Sequence, residues 1–240
     1  MLEIKNLSAE IDWNQIIDNV NIDFEKWKNY ALLWKNGSGK STLSFCIMWH
    51  PFYKITNGDI LLNGESIKDM APENRAKRWI FLAFQNIPEI PWVKLFEFLK
   101  LMYNSKFEKE EDQLSFIKFK KLALPIAEEV GVDKDLLFRD INVGFSGWEK
   151  RKVEMLQLKL LNPSYIILDE IDSWLDINSL RQLWEILKDL DNKDNSFIIV
   201  SHYFDILDYI NVDKAVIMKN WLVSKSGWKE LLDNIKKDWF

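Results

Sequence analysis

Residues 30–48 constrain the fold of this chain more than any other stretch. Tyr30 to Leu33 reads as a short buried strand and Leu43 to Met48 as an apolar helix. Between them runs Asn36-Gly37-Ser38-Gly39-Lys40-Ser41-Thr42. A glycine-rich turn from buried strand to helix suits a phosphate: the glycines let backbone N–H groups wrap it, and the helix N-terminus adds partial positive charge. The pattern G-x-x-x-x-G-K-[ST] covers residues 34–41, and with Thr42 the expected nucleotide contacts are Trp34, Lys35, Asn36, Gly37, Ser38, Gly39, Lys40, Ser41 and Thr42. Lys40 is placed to reach the β- and γ-phosphates, and the Ser41 hydroxyl to ligate Mg²⁺. One position breaks the pattern, because its first glycine falls on Trp34. The bland alternative is a Gly/Ser turn that caps a helix.

A second constellation stands about 130 residues later. Tyr165 to Leu168 is a continuous apolar run that ends in Asp169-Glu170. A buried strand ending in two carboxylates puts them at the carboxyl edge of the sheet, where α/β folds bind ligands. Asp169 suits a Mg²⁺ contact and Glu170 the polarisation of an attacking water. His202 ends the next buried strand, Phe197 to Val200, and is expected to contact the γ-phosphate. His50 receives no role, and Cys46 reads as a buried core thiol.

The remaining elements alternate. Strands are expected near residues 2–7, 16–24, 60–62, 80–84, 215–218 and 222–224, and helices at 149–161, 177–190 and the C-terminus. This alternation implies a mostly parallel sheet covered on both faces. Residues 92–140 change character and read as a helical insert of mixed charge between two halves of the core, with Pro125 starting or breaking a helix.

Composition narrows the function. A formal net charge of −5 argues against a nucleic-acid binder. One cysteine excludes a disulfide framework, a four-cysteine zinc site and a protein-only iron–sulfur site. No apolar run is long enough to span a membrane, and no secretory leader opens the chain, so a cytoplasmic protein is expected.

Four further segments identify a family. Phe145-Ser146-Gly147-Trp148-Glu149-Lys150 resembles the ABC-ATPase signature, Gln85 the Q-loop, Ser173-Trp174-Leu175-Asp176 the D-loop and His202 the H-loop. Their order and spacing resemble those of ABC ATPases across the whole chain. The chain also resembles the SufC-type ATPases of Suf iron–sulfur cluster assembly. That likeness lies in Ala83-Phe84-Gln85-Asn86-Ile87-Pro88-Glu89-Ile90-Pro91, Asn142 to Gly147, Ile167 to Ser173, and Ser201-His202-Tyr203 with Ile206 to Ile210. The resemblance implies one ABC ATPase domain with an N-terminal antiparallel β subdomain, an α/β core over 1–91 and 141–240, and a helical subdomain over 92–140. It implies ATP and Mg²⁺, with Glu170, His202 and Gln85 in catalysis and Ser41, Gln85 and Asp169 around the metal. Ser146, Gly147, Trp148 and Asp176 would meet the nucleotide held by a second copy of the chain. SufB- and SufD-like scaffold proteins are the implied partners. Two other readings stand beside this one: the nucleotide-binding subunit of an ABC transporter, or a non-hydrolysing ABC-fold module.

Tryptophan is out of proportion, with 12 residues against 8 glycines. Trp34, Trp148 and Trp174 stand at motif glycines, and Trp92 and Trp221 where Pro-Gly and Asn-Gly turns are expected. Trp27, Trp49, Trp79 and Trp228 fall where SufC-like chains tend to carry glycine; Trp13, Trp184 and Trp239 fit less well. Core packing does not explain indoles at tight turns. Decay of an inactive subunit does not explain intact Lys40, Ser41, Gln85, Ser146, Asp169, Glu170 and His202. Glycine encoded by a reassigned codon, UGA, is the expectation, with glycine-like backbone angles or unusual exposure at Trp221 and several others.

Overall fold

The computed structural model describes residues 1–33, 37–78, 80–172, 175–191, 194–201, 209–228 and 231. Two compact units emerge: Met1–Phe84 with Ser164–Ile171 and Asp191–Phe240, and Gln85–Pro163 with Asp172–Leu190. The first unit opens with β1 (Leu2–Ile11), β2 (Asn14–Phe24), β3 (Tyr30–Leu33), α1 (Lys40–Ile47), β4 (Lys54–Leu62), β5 (Glu65–Ser66), α2 (Pro72–Lys77) and β6 (Ile80–Ala83). The second unit contributes β7 (Ile90–Lys94), α3 (Leu95–Asn104), α4 (Phe116–Val130), α5 (Lys134–Leu137), β8 (Asp140–Ile141) and α6 (Gly147–Leu161). The chain returns to the first unit for β9 (Tyr165–Asp169), to the second for α7 (Ile177–Leu190), and to the first for β10 (Ser196–Val200), β11 (Lys214–Lys219) and β12 (Leu222–Trp228).

The first unit holds two sheets. One is antiparallel, in the order β2-β1-β4-β5. The other has the order β12-β11-β3-β10-β9-β6, with only the edge strand β12 antiparallel to its neighbour. β3, β9 and β10 are buried at every position, which is why they read as unbroken apolar runs. Their register sets Val200 beside Leu32 on one flank and Asp169 on the other. The carboxyl ends of the central strands therefore finish together.

Arg75 holds α1 from below. It is completely buried, and its guanidinium donates to five backbone carbonyls: Met70 at 2.8 Å, Cys46 at 3.0 Å, Ile47 and Lys68 at 2.6 Å each, and Ile67. Cys46 and Ile47 end α1, so the charge also offsets the negative end of that helix's dipole. Burial lowers the guanidinium pKa to about 10. Arg75→Met should cost about 3–5 kcal/mol of stability, because buried carbonyls lose their donors together. Urea unfolding measures this directly, and a loss below about 1 kcal/mol would show the clamp to be dispensable.

The second unit packs its helices around Phe96 and Phe119, whose rings lie 5.3 Å apart. Two expectations are corrected here. Residues 90–94 form a strand paired with β8, so the helical segment starts at Leu95. Pro125 sits inside α4, which continues from Phe116 to Val130 despite the lost N–H donor. The expected C-terminal helix lies almost wholly outside the described residues.

Among the described residues, thirteen other than glycine hold a positive φ: seven Asn or Asp, five Trp, and Glu170. Asn and Asp tolerate the left-handed region; for an indole it is a genuine outlier, costing about 1–2 kcal/mol each. Trp221, with φ 67°, shows the glycine-like angle expected of it, as do Trp13, Trp27, Trp49 and Trp92.

Candidate nucleotide site

The first unit carries the residues expected at the phosphates. α1 begins at Lys40, capped by Gly39 with φ 97°. A Cβ at Gly39 would stand 2.9 Å from the Ile16 carbonyl oxygen, so neither the angle nor the space admits another residue. Gly37 also has a left-handed φ, 78°, with open space where a Cβ would lie. Lys40 is buried, and its Nζ lies 3.5 Å from Ser38 Oγ. Burial lowers the ammonium pKa, against the pull of the Glu170 and Asp169 carboxylates.

Ser41 Oγ donates to Asp169 Oδ1 at 2.9 Å, across 128 positions of sequence. A hydroxyl and a carboxylate at this distance form the hard oxygen pair that Mg²⁺ takes when phosphates and waters supply its other ligands. Asp169 is 1% exposed, and its carboxyl pKa is raised to about 6 by burial and the neighbouring Glu170, against the Ser41 hydrogen bond and Lys40. The folded value lies above the unfolded one. The unfolded chain therefore holds fewer protons between about pH 4 and 6, and stability from this group falls as pH rises through that window. Asp169→Asn removes the penalty. Without Mg²⁺ it should match the parent below about pH 4 and exceed it by on the order of 2–3 kcal/mol above pH 6, read from urea midpoints. A constant difference across pH would refute the assignment.

Glu170 follows directly. Its N–H donates to the Val200 carbonyl at 2.8 Å, and its φ is 49°. A non-glycine residue held in the left-handed region at a strand end is a common mark of a functional position. Thr42 faces the core on α1. Cys46 is buried, with burial pushing its thiol up to about 12, as expected of a core residue.

The second unit carries the residues expected to meet the nucleotide of a second copy. Ser146 caps α6: its Oγ accepts from Glu149 N–H at 3.2 Å, while Glu149 Oε2 accepts from Ser146 N–H at 2.7 Å. This capping box aims the N-terminus of a 15-residue helix at the open space around Gly147, where a Cβ would meet nothing within 4 Å. Trp148 is half-buried, with Lys152 Nζ 5.5 Å from its ring centre. Gln85, Gly147, Lys150 and Arg151 line a cavity of about 200 Å³. Asp176 caps α7, accepting from Ser179 N–H at 3.0 Å and Ser179 Oγ at 2.7 Å, and these bonds hold its carboxyl below the usual range. Trp34, Lys35, Asn36, Trp174 and His202 lie outside the described residues.

Residues 17–173 match the family described as ABC transporter. The chain belongs to the ABC family. Among ABC relatives, it is 41% identical to the probable ATP-dependent transporter ycf16 of Cyanophora paradoxa, over 98% of this chain and 92% of that protein. It is 36% identical to the iron–sulfur cluster assembly protein SufC of Plasmodium berghei, over 99% of this chain and 66% of that one. A dimeric ATP-binding cassette, MJ0796, solved in a post-hydrolysis state with ADP and Pi, superposes with a TM-score of 0.78 at 20% identity, covering 95% of this chain and 98% of that one. That likeness gives the ABC fold. The chain is thus a SufC-like ABC ATPase domain.

Two elements of this ABC domain carry no sequence motif. Arg75 is one, since its partners are all backbone. The other is the buried Arg151–Glu154 ion pair on α6, whose Arg151 guanidinium also donates to the Gln85 carbonyl at 3.5 Å. The i,i+3 spacing of opposite charges was its only trace in the sequence.

Proposed function

We propose that this ABC ATPase domain hydrolyses ATP with Mg²⁺ to drive conformational change in a SufB/SufD-type scaffold during iron–sulfur cluster assembly. The 2.9 Å contact of Ser41 with Asp169, beside Glu170, carries the catalytic part of this reading. Lys40 and the N–H groups of the 37–42 turn bind the β- and γ-phosphates. Ser41 and Asp169, with Gln85, would hold Mg²⁺, which neutralises phosphate charge and orients it. Glu170 polarises the attacking water, and His202 contacts the γ-phosphate. Glycine in place of Trp34, Trp148 and Trp174 would let backbone approach the nucleotide.

Two copies share each site: the phosphate half of one meets Ser146, Gly147, residue 148 and Asp176 of the other. The scaffold part rests on likeness to SufC and on an apolar face. Ile90 and Val93 are exposed on β7, a few residues after Gln85 in the chain. Among the described residues, no helix is long and apolar enough to cross a membrane. On adding the scaffold proteins, amide exchange over residues 84–93 should slow, and unchanged exchange there would count against this docking face. Co-purification with a scaffold pair supports the assembly reading; co-purification with a membrane subunit would replace it with a transporter.

A further inference from the structure

Five tryptophans occupy backbone positions that call for glycine, and the chain contains its own control. Among the described residues, three strand pairs are joined by two-residue turns. Between Leu62 and Glu65 the turn is Asn63-Gly64, with φ 54° and 85°. Between Ile11 and Asn14 it is Asp12-Trp13, with φ 46° and 67°. Between Lys219 and Leu222 it is Asn220-Trp221, with φ 49° and 67°. Positive φ at both central residues defines the type I′ hairpin, whose preferred sequences are Asn-Gly and Asp-Gly. One of the three turns has its glycine; the other two have an indole in the same place.

Trp49 makes the same substitution at a helix end. After α1 the Trp49 N–H donates to Cys46 O at 3.1 Å and the His50 N–H to Phe45 O at 2.9 Å, with Trp49 at φ 54°. These two bonds are the Schellman closure, and its left-handed residue is usually glycine. Trp92, at φ 66°, sits in the register shift between Ile90 and Lys94 on β7, where a left-handed glycine makes a bulge. Trp27 holds φ 62° in the turn from β2 to β3.

The side chains gain little in return. Trp13 is 87% exposed and Trp92 92%, and Trp27, Trp49 and Trp221 are exposed too. Of eight described tryptophans (13, 27, 49, 92, 148, 184, 221 and 228), five have a left-handed φ; of eight glycines, six do. Tryptophan here has the backbone habits of glycine. Trp148, Trp184 and Trp228 hold ordinary angles, and the backbone assigns none of the three.

We propose that residues 13, 27, 49, 92 and 221 are glycine in the protein as its source makes it, because the source decodes UGA as glycine. The same codon then places glycine at residues 34, 148 and 174. That extension rests on the ABC ATPase reading; the five backbone positions do not.

Peptide mass spectrometry of the protein purified from its source tests this, together with the codons of its gene. Glycine in the peptides spanning the five positions, with UGA at each, is the expected result. Tryptophan at any of the five, or UGG there, overturns it. A second measurement is independent of activity. The chain carrying all five substitutions, Trp13→Gly, Trp27→Gly, Trp49→Gly, Trp92→Gly and Trp221→Gly, should unfold about 10 °C or more above the chain with tryptophan. An equal or lower midpoint would overturn the backbone argument. Adding Trp34→Gly, Trp148→Gly and Trp174→Gly should then raise ATP turnover. A failure at that last step alone, with the mass and stability results in place, would refute the ATPase reading and leave the decoding intact.

Discussion

Glu170→Gln should leave ATP binding intact and lower turnover roughly 10²-fold or more. The amide keeps the shape and hydrogen-bonding reach of the carboxylate but cannot take a proton from water. The backbone has no reason to move. The N–H bond to Val200 O belongs to the main chain, and glutamine at φ 49° meets the same steric cost as glutamate. Stability should therefore change by less than about 0.5 kcal/mol. Lys40→Ala gives the contrasting result, since it deletes the main side-chain charge on the phosphates and should weaken nucleotide binding itself. Single-turnover hydrolysis beside equilibrium binding separates the two. Unchanged turnover in Glu170→Gln would show that Glu170 does not polarise the water.

Ser146→Arg should abolish turnover in the paired protein, because a long cation would enter the space reserved for the partner's nucleotide. The substitution also removes a cap. Losing the capping box of α6 costs about 1 kcal/mol, well within a domain stability of about 5–15 kcal/mol, so the fold survives. Ser146→Asn restores a cap without the bulk and serves as the control for stability. Mixing provides the decisive measurement. A pair made from Ser146→Arg and Lys40→Ala chains retains one site with intact Lys40 and intact Ser146, and should recover part of the activity that neither variant has alone. No recovery, or full turnover by an isolated chain at high dilution, would refute the shared site.

The parallel core was legible because burial on both faces leaves a plain mark. β3, β9 and β10 are apolar at nearly every position, and each runs into a segment expected to meet nucleotide: the phosphate turn, Asp169-Glu170, and Ser201-His202. Their motifs assign Ser41 and Asp169 to one Mg²⁺, and the two side chains lie 2.9 Å apart. β7 was not legible. All five of its residues are exposed, it contains Pro91, and its partner β8 has only two residues, so neither alternation nor length announces a strand. Pro125 misled because tertiary packing of the Phe119, Ala123, Ala127 and Val130 face holds α4 together across the missing donor. Arg75 left no trace because a guanidinium satisfied by carbonyls has no partner side chain to pair with in the sequence.

The Arg75 clamp has a consequence for ionic strength. Surface pairs such as Lys28–Glu25 weaken as salt screens them, and ATP's attraction to the phosphate turn weakens in the same way. A dry guanidinium held by five carbonyls has no mobile counter-ions near it and is screened far less. The helix that bears Lys40 and Ser41 therefore stays anchored at its far end while the charge it presents is attenuated. Raising the salt should loosen the grip on nucleotide without loosening the cradle, so the salt dependence of ATP affinity reads the charge of the site separately from its shape.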